Sequence, residues 1–127
     1  MSYLLFLDDV RMPDQVTWES FPRDELTYIL RNYDQFIKHI SLHGVPEFVC
    51  FDHDLADEHY AAMLAESEGH DAAYGDEKTG YDCAKWLVDY CADHGKKFPK
   101  YIVHSMNPAG KDRIIGYIEN AKKHLGI

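Results

Sequence analysis

With 127 residues, the chain is long enough to bury a core of its own and too short for two domains of ordinary size. Twenty-two acidic against thirteen basic side chains give a formal charge of −9, the wrong balance for a long surface tracking nucleic-acid phosphates. A hydrophobic content of 46% belongs to a folded domain, and the N-terminal apolar run is too short for a signal peptide or a membrane span, so a cytoplasmic protein is expected.

The first element is the run Leu4-Leu5-Phe6-Leu7, unbroken by polar residues and ending in Asp8-Asp9. Continuous apolar runs of this kind are typical of parallel strands buried on both faces. Residues 10–24, with Pro13 and Pro22 as breakers, read as a loop too short to hold a full helix within a crossover. Residues 27–31 are β-prone and form a second strand. Residues 34–43 carry Phe36, Ile37 and Ile40 at helical spacing, with Gly44 as the stop. A third strand at 47–51 ends in Asp52-His53-Asp54. Residues 56–78 are acidic, lack periodicity and read as an insertion beyond the strand ends. Residues 80–94 place Ala84, Leu87, Val88 and Cys91 on one helix face. A fourth strand at 101–103 ends in His104-Ser105, and Asn107-Pro108 then cap and open a last helix carrying Ile114, Ile115, Ile118, Ala121 and Leu125.

The order β-β-α-β-(insertion)-α-β-α describes a single domain over 1–127, a three-layer doubly wound α/β fold of the receiver or flavodoxin type. Right-handed crossovers give a parallel four-strand sheet in the order 2-1-3-4. The three cysteines form no metal-like pair; Cys83 and Cys91 lie about 12 Å apart along one helix and cannot bridge. They read as buried thiols in a reducing compartment.

Ligands in open α/β sheets bind beyond the carboxyl ends of the strands, at the point where the winding reverses. Asp8, Asp9 and Asp52 converge there. Three crowded carboxylates repel one another, so a bound divalent cation, Mg²⁺ or Mn²⁺, accounts for them better than turn formation alone. His53 and His104 add two imidazoles suited to acid–base work near neutral pH, with Asp54 beside them. The last helix opens with free N–H groups, and Ser105, Asn107, Lys111 and, from the first loop, Arg11 are candidate phosphate partners.

The acidic pair Asp8-Asp9, the acceptor position Asp52 and the hydroxyl of Ser105 resemble the receiver domains of two-component signalling. The fifth receiver strand and its lysine are missing, however, and His53 and His104 are foreign to receivers. The segments Phe6-Leu7-Asp8-Asp9-Val10-Arg11, Phe51-Asp52-His53-Asp54-Leu55, 79–87 and 104–110 are closer to a divergent receiver-like family linked to cyclic-phosphate processing. That resemblance implies a small nucleotide-like substrate: a 2′,3′-cyclic phosphate end of RNA, a cyclic nucleotide, or a cyclic phosphate of a nucleotide-derived sugar.

The expected function is a phosphoesterase that opens the ring by water attack. One of His53 and His104 would activate the water and the other would protonate the leaving alkoxide. Asp8, Asp9 and Asp52 would hold the metal, or hold the histidines if no metal binds; in a variant, Asp52 is itself the nucleophile. The alternative is a non-catalytic receiver-like module that binds a nucleotide or a protein partner.

Overall fold

The computed structural model describes residues 3–9, 11–22, 26–52 and 79–127. The expected insertion at 56–78, together with His53 and Asp54, lies outside the described residues. Four strands form one parallel sheet: β1 (Leu4–Leu7), β2 (Thr27–Leu30), β3 (Phe48–Phe51) and β4 (Lys100–Val103), in the order β2-β1-β3-β4. This is the arrangement the sequence predicts.

Among the described residues three helices accompany them, α1 (Tyr33–His43), α2 (Gly80–His94) and α3 (Pro108–Leu125). Their ends are set by local chemistry. Asn32 accepts a hydrogen bond from the Gln35 N–H, Thr79 from that of Asp82 and Asn107 from that of Gly110, so each helix starts on a capped donor. Gly95 closes α2 in the left-handed conformation, which a side chain would disfavour.

Handedness decides which face each connection covers. The steps β2 to β3 and β3 to β4 run in one direction across the sheet, so right-handed crossovers place α1 and α2 on the same face. There Leu5, Leu7, Val49, Phe51 and Val103 pack against Phe36, Ile40, Leu87, Val88, Ile114 and Ile118. The step β1 to β2 runs the other way, so its connection crosses the opposite face. That layer is not a helix. Among the described residues it is an irregular segment with one short 3-10 turn, Pro13–Gln15, and it buries Val16 and Phe21 against Leu4, Phe6 and Cys50. No helix among the described residues is long and apolar enough to cross a membrane.

The helix face carries much of the stability. Ile40 is fully buried, whereas Leu42, two residues on, is 71% exposed. Ile40→Ala is expected to cost about 2–5 kcal/mol in a denaturant titration, and Leu42→Ala less than about 0.5 kcal/mol.

Candidate active site

Side chains alternate across a strand, so every second residue shares a face. Leu4 and Phe6 of β1, Cys50 of β3 and Ile102 of β4 all lie on the face covered by the irregular segment. Extending each row by one step beyond the strand reaches Asp8, Asp52 and His104. The register keeps the rows level, with Phe6 beside Cys50 and Cys50 beside Ile102. Three adjacent strands therefore deliver two carboxylates and an imidazole to one spot. All three residues are buried, and a ligand atom from each lies within 4.8 Å of the others.

His104 Nε2 and Asp8 Oδ2 are 3.0 Å apart, joined by a hydrogen bond. The imidazole lies flat on Phe6, with ring centres 4.8 Å apart and planes 7° from parallel. Its other nitrogen, Nδ1, is buried with no hydrogen-bond partner among the described residues. The Arg11 main-chain N–H donates to Asp8 Oδ1 at 2.9 Å, and its guanidinium reaches Asp8 Oδ2 at 3.4 Å and Asp52 Oδ2 at 3.9 Å. Arg11 is the partly open cation of the cluster, its side chain 30% exposed where those of Asp8 and Asp52 are 0% and 5%.

Arg11 does not hold the Asp52 carboxyl down. Burial, followed by the Asp8 charge, pushes the Asp52 carboxyl up to about 6, against the opposing pull of His104 and Arg11. Asp9 is raised for the same two leading reasons, burial and then Asp8.

Two further side chains hold the site, and the sequence reading passed over both. Trp18 donates its indole N–H to the His104 carbonyl at 2.8 Å, while the Arg11 guanidinium sits 5.3 Å from its ring centre. Arg31 donates to the carbonyls of Asp8 at 3.0 Å and Arg11 at 2.6 Å, fixing the turn that follows β1. A signal for each was present. Arg31 directly follows a strand on the same sheet edge, and Trp18 is the large aromatic of the proline-bounded loop.

The remaining expected site residues are engaged elsewhere. Asp9 is partly exposed and does not belong to the buried group; His104 holds the third place the sequence reading gave to Asp9. Asp9 lies in the bend after β1 and stays beside the cluster, its side chain in hydrogen-bond contact with Asp8. Ser105 is buried, and its Oγ accepts from the Asn107 N–H at 3.1 Å; the Asn107 side chain caps α3. Lys111 pairs with Glu19 at 2.5 Å.

The residues fit a divalent ion. Carboxylate oxygens suit Mg²⁺ and Mn²⁺, and the imidazole shifts the preference toward Mn²⁺. The raised Asp52 marks negative charge that a cation would stabilise.

A parallel sheet in receiver order, with an acidic cluster at its carboxyl edge, defines a receiver-like α/β domain. The chain belongs to the family described as the cyclic-phosphate processing receiver domain, whose model matches residues 3–120. No curated protein and no solved structure matches it significantly.

The sign of the Asp52 shift gives a prediction. A carboxyl raised in the folded state keeps its proton while the unfolded chain loses it. Stability from this group is therefore intact below about pH 4 and is lost as pH rises through about 6. With chelator present, Asp52→Asn is expected to raise the melting temperature at pH 7, by up to about 3 kcal/mol in stability, and to leave it unchanged near pH 4. Thermal melts at the two pH values check this.

Proposed function

We propose that the Asp8–Arg11–Asp52–His104 cluster is the active site of a cytoplasmic phosphoesterase that opens a cyclic phosphate by adding water. The observation that supports this reading most is the pairing of a partly open guanidinium with a buried carboxyl whose pKa is near 6. Together they offer a phosphate anchor and a proton acceptor within one centre. Family membership in the cyclic-phosphate processing receiver domains supports a cyclic phosphate as substrate, and a 2′,3′-cyclic phosphate end of RNA or a cyclic nucleotide is the form this reading takes.

In this reading Arg11 binds the phosphate oxygens from the open side. The ionised Asp52 takes a proton from the attacking water, the new P–O bond forms, and one ring P–O bond breaks. His53, the residue after Asp52, protonates the departing alkoxide. The products are a phosphate monoester and a free hydroxyl, and the protons balance. His104 acts through Asp8 and not on the substrate: its ring is buried and its Nε2 is held by that carboxylate, so it is a positioning residue. Trp18 fixes the His104 backbone and braces Arg11. When Mg²⁺ or Mn²⁺ is bound, Asp8, Asp52 and His104 hold it, and it adds Lewis-acid stabilisation of charge developing on the phosphate.

A panel of cyclic phosphates incubated with the purified protein, with products followed by phosphorus NMR, tests the reading. Ring opening is expected with at least one nucleotide-derived cyclic phosphate. Asp52→Asn and His53→Ala should each lower kcat by about 10²- to 10⁴-fold. Retention of full turnover in both variants would reject the acid–base assignment. Millimolar Mn²⁺ should raise the melting temperature of the wild type and leave that of Asp8→Asn/Asp52→Asn unmoved, since an ion that binds only the folded state stabilises it by mass action.

A further inference from the structure

We propose that His39 and His43 of α1 form a second metal site, separate from the acidic centre, which takes a borderline-soft divalent ion such as Zn²⁺ or Ni²⁺. Residues four apart on a helix lie one above the other on the same face, the spacing at which two imidazoles reach one ion. Here the two ring centres are 4.5 Å apart.

The His39 ring is already fixed. It lies 4.5 Å from the Tyr28 ring and 5.1 Å from that of Tyr3, and both tyrosines come from the β2–β1 side of the sheet. Aromatic packing accounts for the faces of this imidazole but not for its edge. Nε2 is buried with no hydrogen-bond partner among the described residues. A buried polar atom left in that state is costly, and a ligand to that nitrogen would offset the cost. His43 is exposed and stacks on Tyr28 at 6.2 Å, so the outer half of the pair is open to solvent. Burial, and then the neighbouring His43, hold His39 below the usual imidazole range. It is therefore neutral at pH 7, the form that binds metal.

The donor chemistry sets the ion. Two imidazoles, with no carboxylate assigned to the site among the described residues, suit Zn²⁺, Ni²⁺ or Cu²⁺ and offer little to Mg²⁺. The site is also remote in the fold. α1 packs on the helix face of the sheet, whereas Asp8, Asp52 and His104 lie on the other. With two protein ligands and water completing the shell, it is an open and exchangeable site.

Titration calorimetry of the full chain with Ni²⁺ and with Zn²⁺ tests the proposal. Asp8→Asn/Asp52→Asn silences the acidic centre and should still bind one equivalent. In that background His43→Ala and His39→Ala should each weaken binding by at least about tenfold. Because His43 is exposed, its alanine variant keeps the fold and the result is decisive even if His39→Ala is unstable. Millimolar Mg²⁺ should not compete. Electron paramagnetic resonance of the Cu²⁺ form should show two nitrogen ligands, reduced to one by His43→Ala. Unchanged affinity in His43→Ala overturns the proposal, as does loss of binding in the Asp8→Asn/Asp52→Asn protein. Neither result bears on the cyclic-phosphate reading, which rests on the opposite face.

Discussion

The site depends on one constraint: three parallel strands run level with one another, and their side chains alternate. Phe6, Cys50 and Ile102 lie abreast, so the residues two steps on, Asp8, Asp52 and His104, arrive together. A slip of one residue in any strand would turn its polar end toward the helices and put an apolar side chain in its place. The register is held by burial, since each of these strands has hydrophobic neighbours on both faces. Core packing and site assembly are thus the same event.

The chemistry of the cluster follows from what covers it. The helix face is closed by long side chains from three helices. The opposite face is roofed by a segment that has only a single 3-10 turn among its described residues. That thin roof leaves Arg11 partly open above carboxylates that are otherwise sealed. Trp18 and Arg31 hold it in place through backbone carbonyls, so neither spends a charge on Asp8 or Asp52 directly. Burial, and then the neighbouring Asp8 charge, keep Asp52 raised in this setting.

Much of this was readable in the residues. The apolar runs 4–7 and 48–51 mark buried parallel strands because nothing polar interrupts them, and the polar residues at their ends follow from chain order. The sheet order followed from handedness alone. What local patterns could not supply is the grouping: His104 joins Asp8 and Asp52 in the buried set, with Asp9 beside it. Lys111 looked like a phosphate ligand because its partner, Glu19, is 92 residues away and invisible to any local pattern. Asn107 was correctly seen as a cap, its Oδ1 accepting the Gly110 N–H. Trp18 and Arg31 act through backbone carbonyl groups, so their position in the chain is the signal they leave.

The hydrogen bond between Asp8 and His104 spans 96 positions of the chain. It joins the first strand to the last, so no partial chain ending before β4 can form it. Closing so long a loop carries an entropic cost that only the finished sheet repays. During synthesis the two carboxylates emerge long before their imidazole, and the chain carries an incomplete centre until β4 docks beside β3. The three-residue cluster is therefore assembled only when the last strand is in place.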